Sequence, residues 1–305
     1  MNVYSKDILS HPEFYIARFT QAPELPYVFF IHGGPGLNCG IIEYFIEHHN
    51  LFNSLCYNII VYDQRNCGRS AHSIKQMLHQ DNLNDLHQII LYLAKQYNIS
   101  ISALIGHSYG AKLLCDYYQS KGSFIPGIFI STAKSILTPR LNNLMLDLAY
   151  LKQRNLDLYN EVFHNLDNFD VSNLWDISEQ LAPVFQENKN RPYLYWANLQ
   201  CYSQAQDAQK KIDLPLNTET FSSVREDLYA NESNFSVDIA KLEVPTLWIN
   251  GFHDLVINGN DMTVSHEQNI TTFYKSAHYP HLEEPERFVA LLNEFISRRS
   301  NENTR

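Results

Sequence analysis

A chain of 305 residues, 45% of them apolar, can bury a full core without disulfide or metal staples, which excludes a mini-protein or a disordered chain. Asp and Glu outnumber Lys and Arg by 33 to 23, and a formal charge of -10 repels polyphosphate, so nucleic acid is not an expected partner. Only 11 residues are glycine, about half the roughly 7% of average usage, so each glycine marks a place where the backbone has a special need.

The chain opens on Met1 to Ala22, a mixture of polar and apolar residues without the basic-then-apolar layout of a signal peptide. No apolar run along the chain approaches the roughly 20 residues of a membrane span. The expectation is a mature cytoplasmic protein with no membrane partner. Tyr27 to Ile31 then reads as a buried strand, and it ends in His32-Gly33-Gly34-Pro35-Gly36, a loop able to aim backbone N–H groups at a developing oxyanion. Asn58 to Tyr62 is the next strand, followed by Asp63-Gln64-Arg65-Asn66-Cys67-Gly68-Arg69-Ser70 and by a helix over Leu83 to Tyr97 with Leu86, Ile89, Ile90 and Leu93 at helical spacing.

Ile101 to Ile105 forms a strand, Tyr109 to Tyr118 a helix, and between them stands Gly106-His107-Ser108-Tyr109-Gly110. A G-x-S-x-G between strand and helix is the context of a nucleophile elbow, where a serine is held out on a sharp turn. The amide of Tyr109, the residue after the serine, is then an expected oxyanion donor. Ile125 to Ile130 closes this half.

From 134 to 236 the pattern is helical, rich in Asn, Leu, Tyr and Gln, and no glycine occurs between Ile128 and Asn250. We read 134–236 as a helical cap inserted into a core of 1–133 and 237–305. Strand signals return at Val244 to Ile249 and Ile270 to Tyr274, and an amphipathic helix runs from Pro285 to Arg298 before a polar end expected to fray. Strands alternating with helices, and apolar along their whole length, predict an α/β fold: a mostly parallel central sheet with helices on both faces.

A serine hydroxyl needs a histidine to take its proton, and that histidine needs a carboxylate to fix its tautomer. Asp254 follows the Val244 to Ile249 strand, and His278 follows the Ile270 to Tyr274 strand, preceded by a small residue. His281 and Asp261 are their competitors. His107 and His253 flank the key residues and need only pack or hydrogen-bond there. The five cysteines are widely spaced without a C-x-x-C, and no H-E-x-x-H occurs, so neither a disulfide framework nor a metal is expected, and no cofactor is implied.

On His32 to Gly36, Asp63 to Ser70, Gly106 to Gly110, Gly251 to Asp254 and Ala277-His278-Tyr279-Pro280-His281-Leu282-Glu283-Glu284-Pro285, the chain resembles an α/β-hydrolase of the proline iminopeptidase type. The resemblance implies Ser108 as nucleophile, Asp254 as acid, His278 as base, and the amides of Gly34 and Tyr109 as the oxyanion hole. It makes Asp63 and Arg65 buttressing residues. Asn66 stands where the family has glycine, and asparagine tolerates left-handed dihedrals. The Trp-Glu pairing by which such peptidases hold a free α-amine is absent from Tyr193 to Gln200, leaving Glu226 and Glu232 as candidates for that contact.

Substrate is accordingly open between two classes of small molecule or short peptide. The first is an N-terminal residue released by an aminopeptidase; the second is the substrate of an esterase, lactonase or C–C bond hydrolase of the same fold. A non-enzymatic ligand-binding member is the third reading. The inserted segment carries 14 acidic and 9 basic residues, which favours a cationic ligand group such as an α-ammonium.

Overall fold

A computed structural model of the chain describes residues 3–49, 51–133, 137–165, 177, 188, 190–230, 242–257 and 269–302. Eight strands form one sheet: β1 (Ser5–Leu9), β2 (Ile16–Thr20), β3 (Tyr27–Ile31), β4 (Asn58–Tyr62), β5 (Ile101–His107), β6 (Gly127–Ile130), β7 (Thr246–Gly251) and β8 (Asn269–Phe273). Their order across the sheet is β1-β2-β4-β3-β5-β6-β7-β8. β2 runs antiparallel to both β1 and β4, and every pair from β4 to β8 is parallel.

The strands predicted from apolar runs appear within one or two residues of their expected limits. β1 and β2 are additional: β1 is an edge strand with four of its five residues exposed, and its Asp7 pairs with Arg18 of β2. Charge on an edge strand blocks further pairing, and it also removes the apolar signature by which a strand is recognised.

Alternation along the strands supplies both cores. Val28, Phe30, Val61 and Ile105 face helices α1 (Gly40–His48) and the C-terminal α9 (Pro285–Glu302), where Phe45, Ile46, Phe288 and Leu292 meet them. Phe29, Ile31, Ile60 and Leu104 face the other way, onto α2 (His79–Tyr97) and α3 (Tyr109–Lys121). On that side Phe129 and Trp248 stack with ring centroids 4.1 Å apart.

Among the described residues, the segment between β6 and β7 is helical: α4 (Leu137–Arg154), α5 (Leu156–Asn165), a 3-10 turn at Arg191–Leu194, α6 (Leu199–Ile212) and α7 (Thr218–Ala230). One short helix, α8 (Pro280–Glu283), precedes α9. All five cysteines are free thiols. No helix among the described residues is long and apolar enough to cross a membrane.

Candidate active site

Parallel strands bring their carboxyl ends to one edge of the sheet, where side chains from loops distant in sequence can converge. β5 ends at His107, and Ser108 follows with φ 53° and ψ -117°, a conformation that an L-residue holds only where its surroundings impose it. The Ser108 amide donates to the Ile130 carbonyl at 2.8 Å, while the Ser108 carbonyl accepts from Ala111 and Lys112. The turn needs glycine at position 110, since a Cβ there would sit 2.3 Å from the Ile31 carbonyl oxygen.

After β3, His32 fixes the glycine-rich loop. Its Nε2 accepts from the Gln64 amide at 3.1 Å, so its Nδ1 carries the proton and donates to the Gly33 carbonyl at 2.7 Å. Burial keeps this ring below the usual histidine range. Gly34 and Tyr109, the two expected amide donors, line a cavity of about 590 Å³ together with Ser108 and His278.

The structure brings Asp254 and His278 together. His278 Nδ1 donates to Asp254 Oδ2 at 2.8 Å, and both residues are buried. Asp254 Oδ1 accepts from the amides of Val256 at 2.9 Å and Ile257 at 3.2 Å, which fixes the carboxylate plane. With Nδ1 committed to Asp254, the ring nitrogen able to take a proton is Nε2. The acid and base loops are tied as well: Gly251 lies so close to Ala277 that a Cβ would fall 1.9 Å from its carbonyl oxygen.

His281, the competing base, has neither ring nitrogen hydrogen-bonded and packs against Phe30 and His107. Burial, with His278 nearby, pushes its pKa down to about 3. Asp261 lies outside the described residues. His107 hydrogen-bonds beside the key residues as expected: its Nε2 donates to the His278 carbonyl at 2.8 Å, and its pKa is held well below normal by burial and by His281 and His278.

A histidine kept neutral by burial couples folding to pH. Between pH 6.5 and about 3 the unfolded chain binds a proton at residue 281 that the folded chain does not. Its stabilising contribution is thus complete above pH 6.5 and is lost as pH falls towards 3, at up to roughly 1.4 kcal/mol per pH unit. His281→Leu is expected to flatten the fall in stability between pH 7 and pH 4.5. Urea unfolding of both proteins at the two pH values measures this, and an unchanged difference would contradict it.

Further supports surround the site. Asp63 accepts from the Cys39 amide and from Arg69, whose guanidinium holds the buried carboxyl below its usual range against the burial that raises it. Arg65 makes two 2.7–2.7 Å bonds to Asp85, and Asn66 takes the left-handed turn with φ 59°. Behind the elbow, Tyr109 Oη accepts from Asn82 at 2.9 Å and meets His79 Nδ1 at 3.0 Å, while His79 Nε2 donates to Asp116. Glu283 accepts from the amides of Ala277, Ala197 and Asn198, each at 2.7 Å, and so links the residue before His278 to the helical segment.

The expected acidic anchors do not reach the cavity among the described residues. α7 presents Phe221, Arg225, Leu228 and Tyr229 to it, positions spaced by four, three and one. Glu226 lies about 100° further round the helix and is exposed, so the charge that enters from α7 is positive. Glu232 lies outside the described residues. No Asp or Glu is among the cavity's described lining residues; its cations are Arg140, Arg191, Arg225 and Lys112, the last bonded to Asp116. Among the described residues no cluster of His, Cys, Asp and Glu could hold a metal ion.

A family profile described as the alpha/beta hydrolase fold matches residues 26–285. In sequence the chain is similar to the proline iminopeptidase of Heyndrickxia coagulans, with 22% identity over 283 residues, covering 88% of this chain and 90% of that protein. In structure it is similar to a proline iminopeptidase-related protein of Thermus thermophilus, with a TM-score of 0.65 and 16% identity over 96% of this chain and 97% of that one. It is also similar to an esterase of Exiguobacterium antarcticum, with a TM-score of 0.62 and 18% identity over 93% and 95%. The sheet order, the strained serine after β5 and the match over most of the length agree, and the chain belongs to the alpha/beta hydrolase family.

Proposed function

We propose that the protein is a serine hydrolase working through an acyl-enzyme at Ser108. The observation that carries this is the Asp254–His278 bond of 2.8 Å, with His278 lining the same cavity as the strained Ser108. Ser108 Oγ attacks the substrate carbonyl as its proton passes to His278 Nε2, and the amides of Gly34 and Tyr109 bind the oxyanion. The bond to the leaving group then breaks, and His278 gives that group the proton. Water attacks the acyl-enzyme, surrenders a proton to the same nitrogen, and the acid departs as the proton returns to Ser108.

Of the two substrate classes, the cavity favours an acyl compound without a free α-amine. An α-ammonium needs a carboxylate partner when water is excluded. Among the described lining residues there is none, and three arginines stand there instead. The aminopeptidase reading draws on the sequence likeness to a proline iminopeptidase.

A panel of prolyl and other aminoacyl arylamides, their N-blocked forms and short acyl esters separates the two. The expected result is turnover of short esters and no gain from a free amine. A free-amine arylamide preferred at least about tenfold over its blocked form, or about 1.4 kcal/mol of transition-state binding, would reinstate the aminopeptidase.

A further inference from the structure

Resting on the serine-hydrolase reading, we propose that His79 is a positioning residue of the reaction: through the Tyr109 hydroxyl it fixes the Tyr109 amide where the substrate's oxyanion forms. Tyr109 opens α3, so its amide has no carbonyl partner inside that helix. The direction of that N–H is set by the peptide plane between residues 108 and 109, which follows a serine strained at φ 53° and ψ -117°. The carbonyl end of the plane accepts from Ala111 and Lys112. The other end is carried by Tyr109, whose side chain is therefore the second point that fixes the plane.

The chemistry of the partners assigns the protons. The Tyr109 hydroxyl accepts from Asn82 Nδ2 at 2.9 Å and lies 3.0 Å from His79 Nδ1. Asn82 Nδ2 can only donate, so the hydroxyl proton goes to His79 Nδ1, and the ring proton on Nε2 goes to Asp116 at 2.8 Å. Lys112 bonds the same carboxylate. Burial holds the Tyr109 hydroxyl well above its usual range, so the donating proton stays in place. His79, Asn82 and Tyr109 are all buried, and a buried polar network whose members are paired is rigid. Packing alone does not call for it: the Tyr109 ring sits against Met77, Val224 and Leu228, where a phenylalanine would pack as well. The hydroxyl and the histidine add direction, which is what an oxyanion donor needs.

The same histidine reaches the wall that meets the substrate. Its backbone amide donates to Asp227 Oδ2 of α7 at 2.8 Å, and α7 presents Phe221, Leu228 and Tyr229 to the cavity. Leu228 both lines the cavity and packs with Tyr109. The helix beside the substrate and the amide that meets its oxyanion are thus tied at His79.

The test uses the full chain, a short 4-nitrophenyl ester, and rates divided by the sites that a fluorophosphonate titrates at completion. Tyr109→Phe and His79→Leu should each lower kcat at least about fivefold, short of the roughly hundredfold of a lost oxyanion donor, with KM within about twofold. Both changes remove one bond, so the double variant should lose no more than about twofold beyond the larger single loss. Affinity for a trifluoromethyl ketone, whose adduct with Ser108 carries the oxyanion, should fall in step with kcat/KM. His79→Gln, whose amide can accept from Tyr109 and donate to Asp116, should show at most about half the fold-loss of His79→Leu.

A loss in per-site kcat below about fivefold in Tyr109→Phe would overturn the proposal, as would losses that multiply in the double variant or an unchanged ketone affinity. Fewer titrated sites with normal kcat per site would show a structural role alone and overturn it too. If His79→Leu does not fold, Tyr109→Phe with the ketone still decides. Each of these failures leaves wild-type ester turnover, and the serine-hydrolase reading, in place. No turnover of any ester by wild type, with Ser108 also unlabelled by a fluorophosphonate, sinks that reading and this inference with it.

Discussion

Ser108→Ala is expected to lower turnover by at least about four orders of magnitude while leaving the fold intact. The hydroxyl is the only atom removed, and the turn is held by backbone bonds from Ser108 to Ile130, Ala111 and Lys112 that alanine preserves. Alanine inherits the φ of 53°, so it relieves none of the backbone strain. Ser108→Gly should be just as inactive yet more stable than the alanine variant by about 1 kcal/mol, because glycine occupies that region without a Cβ penalty. Steady-state rates on the short-ester panel and thermal melts check both halves. Residual activity within tenfold of wild type would remove Ser108 from the chemistry.

Asp254→Asn should cost about 10⁴-fold in kcat. Asn retains an oxygen to accept from Val256 and Ile257, so the loop should keep its shape. Its amide nitrogen would then face His278 Nδ1 and donate where the carboxylate accepted. That forces the proton onto Nε2, the atom needed as base. The loss should fall on kcat with KM little changed, since Asp254 is buried behind the histidine and is absent from the described cavity lining. A loss below tenfold would show that His278 does not rely on this pair.

Much of the fold was legible because the buried parallel strands are apolar throughout, as in Tyr27–Ile31 and Asn58–Tyr62, and because glycines punctuate the loops that follow them. β1 and β2 were not legible, since Lys6, Asp7 and Arg18 interrupt the pattern that a buried strand shows. The short α1 begins at Gly40 after Cys39 without a side-chain cap, so nothing in the sequence announced its start.

The site divides the same way. Ser108, Asp254 and His278 each follow a recognisable strand, and the structure sets Asp254 against His278 and lines one cavity with Ser108 and His278. Which residues of α7 face the cavity depends on the phase of that helix, which its composition does not reveal: Glu226 is exposed, and the neighbour Arg225 takes the inward position. The surplus of acidic over basic residues from 134 to 236 pointed to a cationic ligand. A tally weighs exposed and inward charges alike, whereas the cavity receives Arg140, Arg191 and Arg225 from three separate elements.

Whether Ser108 is an activated nucleophile is tested most directly by fluorophosphonate labelling followed by intact-mass and peptide mapping. One adduct per chain, mapped to the peptide bearing Ser108, absent in Ser108→Ala and much slowed in Asp254→Asn, is the expected result. An unmodified protein, or an adduct on another residue that persists in Ser108→Ala, would contradict it.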